Sequence, residues 1–176
     1  MAKEDEHRIW EVLISQLARE NETARFAPHM TLLGLPDQPS TQPQVNELLI
    51  RGERLAQRLL DYPRTTAVEF VGIGSRNSYI QSLFLMGVPT RTLMDWFNEA
   101  CSIFSKVASP AGIYMPHFSL MYGDLSIEKK LAIVRDLPMR FPCDITFDRL
   151  ALYNCNGMPD EWHEVATWPI STTNKK

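Results

Sequence analysis

Apolar side chains recur at three- and four-residue steps near the start of the chain, where Ile9, Trp10, Leu13, Ile14 and Leu17 sit among charged neighbours. That stripe predicts an amphipathic helix over residues 4–20. From Phe26 to Leu35 the pattern shifts toward strand alternation, closed by Gly34 and Pro36,. Pro36, Pro39 and Pro43 mark a loop, after which Val45, Leu48, Leu49, Leu55 and Leu59 stripe a second helix that ends at Pro63. Strand-like runs at 66–73 and 79–86, joined through Gly74, Ser75, Arg76 and Asn77, predict a hairpin,. Leu93, Phe97, Ala100, Cys101 and Phe104 predict a third helix, and 114–122 a strand ending at Gly123. Ser126 is placed to cap a fourth helix, roughly 127–136, before Pro138 and Pro142,. Strands at 145–153 and 162–168 flank a turn at 154–160, and the polar tail 171–176 is expected to fray,.

In order these elements read helix, strand, helix, strand, strand, and then the same five again. Residues repeat with them. Pro28-His29-Met30-Thr31-Leu32-Leu33-Gly34 in the first half is matched by Pro116-His117-Phe118-Ser119-Leu120-Met121-Tyr122-Gly123 in the second. From His29 to His117 is 88 residues (117 − 29), half of the 176. The expectation is one bilobal α+β domain over 1–170, built from two α-β-α-β-β halves with lobes at roughly 1–88 and 89–170. Antiparallel sheets would flank a central groove with helices outside, and the two motif strands would face one another across it.

Composition narrows the class of partner. With 44% apolar and 22% charged residues the chain can bury a full core,. Its net charge of −3 disfavours long nucleic acid, which usually meets a basic surface,. No apolar run approaches the ~18 residues of a membrane span, and the opening MAKEDEHR is too charged for a signal peptide,. Cys101, Cys143 and Cys155 are odd in number and lack the pair spacing of zinc or redox sites,. A cytoplasmic protein with buried thiols is expected.

The repeated motif carries the chemistry. Alternate strand residues share a face, so His29 projects with Thr31 and His117 with Ser119. Two imidazoles that exchange protons near neutral pH, together with two hydroxyl donors, suit displacement at phosphorus. One ring takes the proton of an attacking water, the other returns a proton to the leaving oxygen, and the hydroxyls hold the non-bridging oxygens. A lone strand histidine is ordinarily structural, but two copies half a chain apart, each after a proline, are hard to explain as packing. Zinc held by His29, His117 and His163 would leave the paired hydroxyls unexplained, so no metal or cofactor is called for. His7 and His163 read as solvent-facing, Arg76 as part of a solvated turn, and Arg149 as part of an exposed strand face. Met86, Met94, Trp96 and Phe97 read as core. Tyr79, on the hairpin, is a candidate for stacking on a nucleobase, against an equally ordinary reading as a strand aromatic.

The two motifs resemble those of the 2H phosphoesterase superfamily, defined by paired His-x-Thr/Ser motifs on a duplicated α+β fold. The second half is most similar to the plant and fungal cyclic phosphodiesterases of tRNA splicing metabolism. The likeness runs through Tyr114–Tyr122, Asp124-Leu125-Ser126, Asp148-Arg149-Leu150-Ala151-Leu152 and Trp162-His163-Glu164-Val165-Ala166. It implies hydrolysis of nucleoside 2′,3′-cyclic phosphates or ADP-ribose 1″,2″-cyclic phosphate. It also implies His117 as base, His29 as acid, and Thr31, Ser119 and Tyr122 on the phosphate. Members usually open with a strand carrying an aromatic residue. Here Trp10 falls within the predicted helix, 19 residues before His29, so either that strand is missing or another element fills the sheet edge. The expected partner is a small cyclic-phosphate nucleotide bound by a monomer, without membrane. The alternatives are a 2′–5′ oligonucleotide or RNA-end phosphodiesterase acting on short RNA, and a cyclic-nucleotide binding module without turnover.

Overall fold

The computed structural model describes residues 4–35, 39–62, 66–105 and 114–171. Pro36, Pro63 and tail residues 172–176, which figured in the expectations above, lie outside them. Helix α1 (Glu4–Asn21) buries Ile14, Leu17 and Ala18, and α2 (Gln42–Leu59) buries Leu55, Ala56 and Leu59. At the start of α2 the Gln44 side chain reaches back to accept from the Thr41 N–H at 3.1 Å, which ties down a backbone group the helix leaves orphaned. Helix α3 (Arg91–Ile103) is capped by Thr90 and α4 (Ile127–Asp136) by Ser126, as its sequence predicts.

Four strands form one antiparallel sheet in the order β3-β2-β1-β4: β1 (Ala67–Gly74), β2 (Leu83–Gly87), β3 (His117–Met121) and β4 (Cys143–Thr146). The hairpin of β1 and β2 therefore pairs with the second motif strand, and the halves share a sheet. A separate antiparallel pair joins β5 (Arg149–Asn154) to β6 (His163–Pro169). The fold is α+β with antiparallel sheets, as expected, and three boundaries differ from the sequence reading. The run 145–153 divides at Asp148, where the chain leaves β1 for β6. Residues 79–81 form a 3₁₀ turn ahead of β2, so Tyr79 is not on a strand. The Phe26–Leu35 segment makes a single bridge, Met30 to Phe118; Pro28 has no N–H to lend to a longer ladder.

The sheet's inner face carries Val68, Phe70, Leu85, Phe118 and Ile145 into one core. Trp10 packs there too, its ring 5.1 Å from Phe118. Trp96 is buried as expected, whereas Met94 and Phe97 are only partly covered and Met86 is 39% exposed. Met86 lies opposite Gly72 and His117, on the sheet's other face.

Candidate active site

That other face is where the repeated motifs meet. The Met30–Phe118 bridge is antiparallel, and continuing its register one residue each way sets His29 opposite Ser119 and Thr31 opposite His117. Bridged residues share a face, so with Met30 and Phe118 turned to the core these four turn away from it together. The motifs thus lie side by side along one seam, not across an open groove as the sequence suggested. Met115, Pro116 and β3 hold the second motif, while the bridge and the buried Pro28 hold the first.

Each imidazole is oriented the same way. The His29 Nδ1–H donates to the Ala27 carbonyl at 2.7 Å, and the His117 Nδ1–H to the Met115 carbonyl at 2.9 Å. A carbonyl only accepts, so Nδ1 carries the hydrogen on both rings and each Nε2 is left for chemistry. Each ring also packs near-perpendicular to a phenyl: Phe26 at 6.0 Å and 79° for His29, Phe84 at 5.6 Å and 72° for His117. The pseudo-symmetry of the sequence persists to the second layer of contacts.

At Nε2 the symmetry ends. Tyr122 Oη lies 3.4 Å from Nε2 of His29, its ring stacked on Phe26 at 3.8 Å and tilted against Trp162 at 5.8 Å. Burial pushes the Tyr122 phenol up to about 12, with the neighbouring Ser119 hydroxyl acting against the rise. It therefore stays protonated, able to donate, across the physiological range. Gln81 Nε2 lies 3.2 Å from Nε2 of His117. Burial lowers both histidines from the usual 6.5; the mutual repulsion of the rings adds to this at His29, and the Arg76 guanidinium adds to it at His117. Ser119 is 3% exposed and Thr31 open to solvent. The Thr31 carbonyl accepts from Tyr114 Oη at 3.3 Å.

Residues 1–169 match the family model described as cyclic phosphodiesterase-like protein. The chain belongs to that family. No curated protein matches it. Membership makes it a phosphodiesterase by class, consistent with the 2H phosphoesterase superfamily.

Other residues singled out from the sequence fall elsewhere. Tyr79 lines a groove with Asn21–Ala24 and Gly123–Leu125 whose walls include neither histidine. His163 begins β6 and is exposed, and among the described residues no three His, Cys, Asp or Glu gather as metal ligands. His7 is half-buried, 3.9 Å from Glu11, and Arg149 pairs with Asp148 at 3.1 Å. The three thiols are free and, contrary to expectation, none is buried: Cys101 and Cys143 are half-buried, and Cys155, in the β5–β6 turn, is exposed. Among the described residues no helix is long and apolar enough to cross a membrane. Gln81, Phe26 and Phe84 escaped the sequence reading. None belongs to a repeat, and a hydrogen bond between residues 36 positions apart leaves no periodic trace.

Proposed function

We infer that the protein hydrolyses a ribose cyclic phosphodiester to a phosphomonoester, without a metal, by acid–base work of His29 and His117. A water bonds to phosphorus as its proton passes to Nε2 of one ring. The P–O bond to one ribose oxygen breaks, and that oxygen takes the proton of the other ring's Nε2. Thr31 and Ser119 donate to the non-bridging oxygens, and Tyr122 adds a third hydroxyl beside His29. The observation that carries this reading is the pair of Nδ1–H···O=C bonds. They leave two Nε2 atoms on one seam, on the face shared with Thr31 and Ser119, and binding alone would not need proton-transfer groups so arranged. Nucleoside 2′,3′-cyclic phosphates and ADP-ribose 1″,2″-cyclic phosphate are the substrates of choice, in a cytoplasmic setting and with a monomeric enzyme.

Incubation with each cyclic phosphate, with products resolved chromatographically, tests it. A single monoester that still forms in EDTA supports the reading. Activity lost to EDTA and restored by zinc would replace it with a metal mechanism, and tight binding without product would make the protein a binding module. Cleavage confined to 2′–5′ linked or short RNA substrates would keep the acid–base pair and change the substrate. Replacing either histidine by alanine is expected to lower turnover by at least ~10² with the fold retained.

A further inference from the structure

The two rings differ in what stands at Nε2, and the difference has a chemical direction. The partner of His29 is a hydroxyl, which donates to a neutral ring or accepts from a charged one. The partner of His117 is a primary amide, whose nitrogen only donates. Which end of that amide faces the ring is settled by Arg76, whose Nη1–H donates to Gln81 Oε1 at 3.0 Å. A guanidinium has no acceptor, so the oxygen belongs on the Arg76 side and the NH₂ on the histidine side. Arg76 is itself held: its backbone N–H donates to the Gln81 carbonyl at 3.0 Å, and its Nη2 lies 3.5 Å from Met115 Sδ. Its carbonyl accepts from Nζ of Lys130 at 2.8 Å, a lysine of α4 that is 5% exposed. The Nδ1–H of His117 is already committed to Met115. With an N–H aimed at it, Nε2 must offer a lone pair. The charged groups facing the ring agree: Arg76 from the β1–β2 connection with Lys130 behind it, and His29 from the bridged segment; the Phe84 ring from β2 adds no charge.

The geometry points to Gln81 as a positioning residue, its amide locked by Arg76, that keeps Nε2 of His117 unprotonated so that this ring accepts the water's proton and His29 supplies the other. This rests on the acid–base reading above. In the complex the water displaces the amide from Nε2, and its proton moves there as its oxygen bonds to phosphorus.

The test is an NMR titration of the histidine ring signals in the wild type, Q81E and Q81M, assigned with H29N and H117N. Glutamate turns the donor into an acceptor and is expected to raise the His117 midpoint by about one pH unit or more. Methionine removes the donor without adding charge and is expected to raise it by about half a unit. In both, His29 should move less, and the acid limb of the kcat/KM profile should follow His117. A His117 midpoint within about 0.2 units of wild type in Q81M, or equal movement of both rings, would overturn the assignment. If Q81E does not fold, Q81M decides alone. The titration needs no turnover, so a protein that shifts as expected yet hydrolyses no cyclic phosphate sinks the proposed activity and leaves the role of Gln81 standing.

Discussion

In the proposed mechanism Tyr122 contributes one hydroxyl to the site. Its ring is fixed between Phe26 and Trp162, and its phenol, pushed up to about 12, remains a donor wherever the enzyme would work. Y122F keeps the stacking and removes one hydrogen bond, so kcat/KM is expected to fall by about tenfold, measured on the substrate that the product assay identifies. Under the proposed mechanism the histidines would set the pH dependence. The free enzyme would act with one ring charged and one neutral, and burial lowers both from 6.5. The singly protonated form therefore prevails on the acid side of that value. A bell-shaped kcat/KM profile is expected with its maximum below 6.5, its apparent constants belonging to the pair rather than to either ring. A rate rising steadily with hydroxide would contradict it.

Among the elements, β1 is shaped by what it lacks. Gly72 and Gly74 pair with Met86 and Phe84 on the site face, and a Cβ at Gly74 would stand 2.5 Å from Phe84 Cε2. The glycine leaves room for the Phe84 ring, which packs near-perpendicular to His117 at 5.6 Å. G74A should displace that ring, lowering stability by about 1–3 kcal/mol in urea titration and weakening turnover as well. Gly52 on α2 supports a contrast. Its Cβ would meet Trp168 Cη2 on β6, a contact with none of the motif residues. G52A should cost a similar amount in stability while kcat stays near wild type. The cap of α4 is simpler: S126A removes the acceptor for the Lys129 N–H, for a loss of about 0.5–2 kcal/mol,.

For the whole molecule, the same burial that tunes the site couples folding to acidity. Each histidine is held below 6.5 in the fold and returns to that value on unfolding. Between the two values the unfolded chain binds more protons, so stability rises with pH there. It is complete above 6.5 and is lost as pH falls through the folded midpoints. The urea midpoint is expected to drop between pH 7 and pH 5, and the double variant H29Q/H117Q should flatten that slope. An unchanged slope would mean that other groups carry it.

The sequence by itself determined the four helices, the hairpin, the duplication and the two motifs, because each is written in spacings of a few residues or in a repeat that spans half the chain. Local periodicity follows from backbone geometry, and Ser126 or Pro28 acts through neighbours only positions away. Tertiary structure alone decided that the hairpin pairs with β3, that 26–35 makes one bridge, and that the motifs share a seam. Those outcomes depend on which strand edges meet when the common core of Phe70, Leu85, Phe118 and Ile145 closes. It also decided the difference between the two rings. His29 and His117 are near-equivalent in sequence, and only packing brings a tyrosine hydroxyl to one Nε2 and an arginine-locked amide to the other.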